Sequence, residues 1–420
     1  MTKVIVIGTG YVGLPLAIML AREAYEVVGV DIDENVVKAI NDKNLPIKEK
    51  DLIKIFREDI VQQNLIARKK PCEGNIFVIA VPTPLHKRKK NADLSLIIDA
   101  FLSIIPFLRK GNLIIVESTI PPLTCKELII PMIEKNTTFE VGNDIFLAHC
   151  PERILPGDIF HEIINNDRVI GGVNKKSSNL AVDMYSSFVK GKLYITDDVT
   201  AELCKLVENT YRDVNVALAN ELSLVADTLG INIKRVISLA NKHPRVNLLN
   251  SGIGVGGHCI PLDPWFITEM DPAHTVLIQT ARRVNDNMPS LVARKIRIML
   301  KEIRNPKITI LGLAYKANTN DTRESPAIKV IDILRDEGYD IDCYDPLVDG
   351  KGYNSLTKIT EGKDCLIILV EHDIIINDIK NNIDKILNNL KHKLIINLSS
   401  NDYSPKIVYC HLITNNLLSF

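Results

Sequence analysis

Residues 3–7 are a short apolar run ending in Gly8-Thr9-Gly10-Tyr11-Val12-Gly13. Apolar residues at helical spacing follow (Leu14, Ala17, Ile18, Leu20, Ala21), then a second apolar run over 26–30 closed by Asp31. A GxGxxG string alone is weak. Between a strand and a helix, with an acid about twenty residues further on, it predicts a βαβ unit that binds a dinucleotide. The glycines let a pyrophosphate sit on the helix N-terminus, where N–H groups and the dipole favour an anion. Gly8, Gly10, Tyr11, Val12 and Gly13 are therefore the expected cofactor loop. Asp31 can accept hydrogen bonds from both adenine-ribose hydroxyls and would repel a 2′-phosphate, which predicts NAD over NADP. The alternative, that the glycines serve only tight packing, does not account for the full context.

Strand-like runs continue over 76–81, 113–117 and 145–148. The first two end in Pro82-Thr83-Pro84 and in Ser118-Thr119-Ile120-Pro121-Pro122. Ligands in open α/β sheets bind beyond the carboxyl ends of strands, so Thr83 and Thr119 are candidates for touching cofactor or substrate; threonine before proline is also ordinary turn chemistry. The third run leads into His149-Cys150-Pro151-Glu152-Arg153-Ile154-Leu155-Pro156-Gly157, where Glu152 and Arg153 either pair at the surface or face a polar ligand. The basic run Lys87-Arg88-Lys89-Lys90 reads as a solvated loop.

From 200 to 229 the pattern is one long helix, stopped at Gly230. Glu202, Lys205, Asn209 and Arg212 share one face; Leu203, Val207, Val214 and Leu218 lie off that stripe and are expected to pack. So long a helix, apolar around much of its circumference, predicts burial between two domains or two subunits. Residues 254–266, Gly-Val-Gly-Gly-His-Cys-Ile-Pro-Leu-Asp-Pro-Trp-Phe, form a stiff loop presenting Cys259 with Asp263 four residues on. Such a thiol is either a nucleophile, if its surroundings stabilise the thiolate, or a small buried cysteine in a turn. Near Pro306 a second βαβ pattern begins: a strand over 307–311, one glycine, a helix to Arg335, a strand over 341–344 and Asp345. Runs at 365–370 and 393–398 continue its sheet. With a single glycine it reads as a nucleotide-sized half and not a second dinucleotide site. The expected fold is α/β: two doubly wound, Rossmann-like domains (1–195 and 301–420) joined by a long central helix and a small helical domain (196–300).

The eight cysteines stand singly with no CxxC pair, which argues against structural zinc or a disulfide framework and fits a reducing cytosol; no metal is expected. Acidic and basic residues balance at 51 each, so nucleic-acid or membrane-surface binding driven by net charge is not expected. The N-terminus reads straight into a strand without a signal peptide, and no apolar run reaches membrane length, so the expectation is a cytoplasmic protein.

The fingerprint, PTP and ESTIPP turns, PERILPG, ENTYRDVNVALANE, GVGGHCIPLDPWF and LGLAYKANTNDTRESPA, in that order over nearly the whole chain, resemble the UDP-glucose/GDP-mannose dehydrogenase family. HPRVNLLNSGIGVGGHCIPLDPWF further resembles its branch that oxidises UDP-N-acetylmannosamine to the uronic acid. The resemblance implies four-electron oxidation of the sugar C6 alcohol by two NAD, through a thiohemiacetal and thioester on Cys259. It implies Lys205 and Asn209 at the developing alkoxide, Asp263 activating the hydrolytic water, and Glu152 and Thr119 positioning that water. Thr83, Thr119 and Arg323 would join the NAD site. The UDP-sugar would be held by Arg153, Ile154, Lys205, Asn209, Arg212, His243, Arg245, Gly252, Tyr315 and Lys316, with Arg245 crossing from a neighbouring subunit, so that a homodimer or higher homo-oligomer is implied. Asn318-Thr319-Asn320-Asp321 departs from the family's more usual acidic spacing, which bears on loop shape and on no catalytic residue.

Three alternatives remain at this level: another nucleotide sugar (UDP-N-acetylglucosamine, then UDP-glucose or GDP-mannose), a two-electron hydroxyacid dehydrogenase, and an inactive nucleotide-sugar-binding protein.

Overall fold

A computed structural model describes every residue except 48, 87, 155, 156 and 400–420. Lys87 of the basic run, Leu155 and Pro156 of the PERILPG turn, and Cys410 lie outside the described residues. The chain divides into two compact units, Met1–Glu208 with Trp265–Pro272, and Asn209–Pro264 with the residues from Ala273 on.

The first unit contains β1 (Lys3–Ile7), β2 (Glu26–Val30), β3 (Leu65–Arg68), β4 (Ile76–Ile79), a small hairpin of β5 (Leu85–His86) and β6 (Asn91–Ala92), β7 (Leu113–Val116), β8 (Phe146–His149), β9 (Arg168–Gly172) and β10 (Leu193–Asp197). Apart from the hairpin they form one sheet in the order β10-β9-β8-β7-β4-β1-β2-β3, parallel except for the β8/β9 pair. Both faces are covered, as a parallel sheet requires. Along β1 the period-two alternation sends Val4 and Val6 into one core and Ile5 and Ile7 into the other. Strands β3, β9 and β10 carry no clear alternation in the sequence and come from register alone; the runs at 76–81 and 113–117 stop at Ile79 and Val116.

In the second unit β11 (Lys307–Leu311), β12 (Asp340–Tyr344), β13 (Cys365–Ile368) and β14 (Leu394–Asn397) pair in parallel in the order β12-β11-β13-β14. Ile308 and Ile310 enter one core and Leu311 the other. The helix Pro326–Asp336 completes the second βαβ. Mixed α/β with one mainly parallel and one wholly parallel sheet is thus the observed fold.

The helix Asp198–Leu229 is continuous. One expectation about it fails. Leu203, Val207 and Leu218 do not pack within the chain: they are exposed, as are Tyr211, Val225 and Leu229. These residues recur at offsets of four and seven and so share one face of the helix. Glu202, on the polar stripe of this helix, is fully buried. Its carboxylate accepts from the backbone N–H groups of Leu123 (2.6 Å) and Cys125 (2.8 Å). That bond pins a turn in which Leu123 sits at φ 69°, a conformation unfavourable for a branched side chain.

Candidate active site

In the first unit the glycines of the fingerprint divide by role. A Cβ on Gly13 would stand 1.9 Å from the Gly8 carbonyl oxygen, and one on Gly8 (φ +91°) would stand 2.6 Å from that of Ala80. Gly8 and Gly13 therefore pack strand, turn and helix together. Gly10 has no atom within 4 Å of the corresponding position, so its backbone faces open space, as close approach by a pyrophosphate demands. Asp31 follows β2, and its Oδ2 accepts from the Thr9 N–H and hydroxyl, both at 2.9 Å. The carboxylate is thereby held at the strand end but keeps partial exposure. Tyr11 is exposed and Val12 half-buried at the same turn. Thr83 Oγ1 is buried with no partner among the described residues, which suits an added ligand better than ordinary turn chemistry. These residues fit a dinucleotide.

Beyond the carboxyl ends of β7 and β8 lies a buried ionic cluster. Glu152 Oε2 accepts from Arg168 Nη2 at 2.6 Å, and Glu152 Oε1 accepts from the N–H groups of Arg153 (2.6 Å) and Ile154 (2.9 Å). The carboxylate therefore shapes the turn carrying Arg153 and Ile154. Glu117 Oε1 accepts from the Tyr185 hydroxyl (2.5 Å) and from Arg168 (3.4 Å). Burial, and then the Glu152 charge, push Glu117 up to about 8, so at neutral pH Arg168 is matched chiefly by Glu152. Arg153 pairs with Glu208 at 2.5 Å. Thr119 is half-buried in the turn after β7. Lys205, also half-buried, lies close enough to His149 for its charge to add to the burial that lowers the histidine to about 3. That ring is neutral, and Lys205 supplies the local positive charge.

In the second unit Cys259 is exposed at the tip of its loop, which excludes the reading as a buried turn cysteine. The N–H of Asp263 donates to the Cys259 carbonyl at 2.9 Å, closing the backbone turn between the two residues. Asp263 is 3% exposed and accepts from the Asn209 amide, whose own oxygen accepts from Arg212. A Cβ on Gly256 would stand 2.8 Å from Tyr315 Cβ, and one on Gly257 would stand 3.0 Å from the Tyr315 ring. Glycine is required there so that Tyr315 can lie against the cysteine loop. Lys316 is half-buried in the same loop. Arg323 is held by Asp321 and meets His258 Nε2 at 2.7 Å. The Gly252 N–H donates to Asn220 Oδ1 (2.8 Å), and Asn220 donates in turn to Asn285 (2.9 Å), which donates to Asp213 (2.8 Å). His243 and Arg245 are exposed on their loop, away from this grouping in hydrogen bonding.

The second unit thus carries Asn209, Arg212, Cys259, Asp263, Tyr315 and Arg323, and the first carries Thr119, Glu152, Arg153 and Lys205. Lys205 and Asn209 are one turn apart on one helix. Sequence reasoning missed Arg168, which meets Glu152 and Glu117 from a strand distant in the chain, and Asn220 and Asp213, which lie on the same helix as Asn209 and bond Gly252 and Asn285. Among the described residues there is no metal-ligating cluster, and no helix is long and apolar enough to cross a membrane.

Comparison with known proteins gives consistent matches. Residues 2–189 match the NAD binding domain of the UDP-glucose/GDP-mannose dehydrogenase family, 199–287 its central domain and 309–400 its UDP binding domain. The chain is 48% identical over 398 residues to UDP-N-acetyl-D-mannosamine dehydrogenase of Methanocaldococcus jannaschii, covering 94% of this chain and 91% of that one. It is 44% identical over 332 residues to NDP-N-acetyl-D-galactosaminuronic acid dehydrogenase of Ralstonia solanacearum, covering 78% of each. The structure of UDP-D-ManNAc dehydrogenase from Pyrococcus horikoshii superposes with a TM-score of 0.90 at 40% identity, over 96% of both chains.

Proposed function

This chain belongs to the UDP-glucose/GDP-mannose dehydrogenase family and is an NAD-dependent oxidoreductase, and from that premise we propose that it oxidises the C6 alcohol of UDP-N-acetyl-D-mannosamine to the uronate. NAD held at the 8–13 turn and Asp31 would supply one hydride acceptor per oxidation, so the four-electron reaction consumes two NAD, with NADH exchanged for NAD between them. Lys205 offers its positive charge to the alkoxide formed as the C6 hydroxyl passes its proton to water. An amide has two N–H groups; Asn209 gives one to Asp263 and has the other for the same oxygen. After the first oxidation the Cys259 sulfur attacks the aldehyde carbon to give a thiohemiacetal. Loss of the second hydride from that tetrahedral carbon leaves a thioester. Water then adds to the thioester carbon and the C–S bond breaks, giving the carboxylate and returning the thiol. Asp263, buried and oriented by Asn209, takes the proton of that water. Glu152 is committed to Arg168 and its own turn, so its part, like that of Thr119, is to position the water. Arg153, Ile154, Arg212, His243, Gly252, Tyr315 and Lys316 serve the UDP-sugar, the arginine forks matching phosphate oxygens, and Arg323 serves NAD.

The observation that carries this reading is the exposed Cys259 thiol on a loop that also fixes a buried, amide-oriented carboxylate. A two-electron hydroxyacid dehydrogenase has no use for that pair. The test is turnover on a panel of UDP- and GDP-sugars with NADH followed optically. About two NADH per UDP-N-acetylmannosamine are expected, with Cys259→Ser forming no acid. One NADH per substrate, or normal acid yield from the Ser variant, would remove the covalent step.

The same reading includes a homodimer or higher homo-oligomer working in the cytoplasm. The exposed apolar face of the helix Asp198–Leu229 is the support for assembly, since a contiguous apolar stripe left to water is rare on a monomer. Arg245, exposed on its loop, would complete the neighbouring subunit's site. The functional partition 1–195, 196–300 and 301–420 belongs to this proposal.

A further inference from the structure

The two βαβ units share an acid at the end of the second strand, but its surroundings differ. Asp31 is partly exposed, with both oxygens bonded only to neighbours of its own turn and of the glycine turn. Asp345 is fully buried. Its Oδ2 accepts from the Leu313 N–H (2.7 Å), the Ala314 N–H (3.1 Å) and His372 Nε2 (2.9 Å), and its Oδ1 accepts from the Leu347 N–H (2.9 Å). Four donors from within the chain bind the carboxylate, and full burial closes the remaining Oδ1 site to a ribose. Burial opposes its charge, but the His372 and backbone N–H groups prevail and hold it below the usual carboxylate range.

His372, also fully buried, has its other nitrogen engaged: Nδ1 accepts from the Asn318 N–H at 2.9 Å. An accepting Nδ1 fixes the proton on Nε2, so the ring donates to Asp345. Asn318 sits at φ 59° and exchanges two further bonds with Asp373, its Nδ2 donating to the carboxylate (2.9 Å) and its Oδ1 accepting from the backbone N–H (3.0 Å). Asp345 therefore grips one end of the segment 313–318 and His372 the other. Between the two grips stand Tyr315 and Lys316.

We propose that His372 and Asp345 are positioning residues for UDP-sugar binding, acting as a two-point clamp on the loop that carries Tyr315 and Lys316. The acid that would hold a ribose in a dinucleotide site is here turned inward to stiffen a loop that meets the substrate. The inference rests on the reading that this loop contacts the UDP-sugar. Its consequence is selective. Loosening the clamp weakens the nucleotide sugar and leaves NAD and the chemical steps alone.

The test compares full-length wild type with His372→Leu, His372→Asn and Asn318→Gly, measuring KM for UDP-N-acetylmannosamine, KM for NAD, kcat, UDP affinity by calorimetry, and melting temperature. His372→Leu removes both bonds; His372→Asn keeps an acceptor near the position of Nδ1; Asn318→Gly frees the exposed end with a residue that tolerates positive φ. KM for the sugar nucleotide should rise about tenfold or more in His372→Leu and less in the other two, and UDP affinity should fall in parallel. kcat should stay within about threefold and KM for NAD should not move. If His372→Leu does not fold, the same split must appear in Asn318→Gly. Lys316→Ala separates the two ways of failing. If it weakens the sugar nucleotide while the clamp variants bind normally, the clamp is refuted and the loop's role stands. If Lys316→Ala and Tyr315→Ala both bind normally, the loop reading fails and takes the clamp with it. A loss of kcat without a change in KM also overturns it.

Discussion

Gly10→Ala and Gly13→Ala should have opposite signatures although they lie three residues apart in one loop. At Gly13 a methyl would meet the Gly8 carbonyl oxygen at 1.9 Å, with Ala80 Cβ at 3.1 Å behind it. Both obstacles are fixed in strand, turn or helix, so about 1 Å of backbone displacement is needed; overpacking of this kind costs about 1–3 kcal/mol. For a unit of roughly 200 residues that corresponds to a melting temperature lower by about 2–12 °C. At Gly10 nothing lies within 4 Å, and the residue is outside the left-handed region. Alanine there should be neutral or slightly stabilising, by up to about 1 kcal/mol, because it restricts the unfolded chain. The added methyl instead occupies the approach of the pyrophosphate, and a clash of about 1–3 kcal/mol raises KM for NAD by roughly 5- to 150-fold. Differential scanning fluorimetry and NAD saturation kinetics on both variants make the comparison. Equal melting losses, or unchanged NAD affinity in Gly10→Ala, would refute the division of roles.

Asp263→Asn should lower kcat by about 100-fold or more and let the thioester accumulate, seen as a sugar-nucleotide adduct on Cys259 by intact mass; a normal turnover rate would remove Asp263 from water activation. Glu202 is raised to about 7, first by burial. Its folded value lies above the unfolded one, so the stability it contributes is complete below about pH 4.5 and is lost as pH rises through 7, by up to about 3 kcal/mol. Glu202→Gln should flatten that part of the melting-temperature profile, and an unchanged profile would contradict the assignment. Val207→Glu with Leu218→Glu should yield a monomer by light scattering, with the melting temperature of each chain little altered; a persistent dimer would move the interface off this helix face.

Much of this protein could be read before any coordinates. Both βαβ units, the long helix to Leu229 and the Cys259 loop rest on short-range signals: period-two and helical spacing, and glycine and proline where the backbone must turn. The division between Gly10 and its neighbours could not be read that way, because a glycine that packs and a glycine that admits a ligand look the same in a string. Nor could the fates of Glu202, Arg168, Asp345 and His372. The role of each depends on a partner tens of residues away in the chain, which only the folded structure brings near. Leu203 and Leu218 show the converse, apolar residues that a single chain leaves exposed. Local sequence determined which elements form and which chemistry they carry. Tertiary structure decided which polar groups are satisfied internally and which face a ligand, because burial and hydrogen-bond completion depend on contacts that spacing along the chain does not encode.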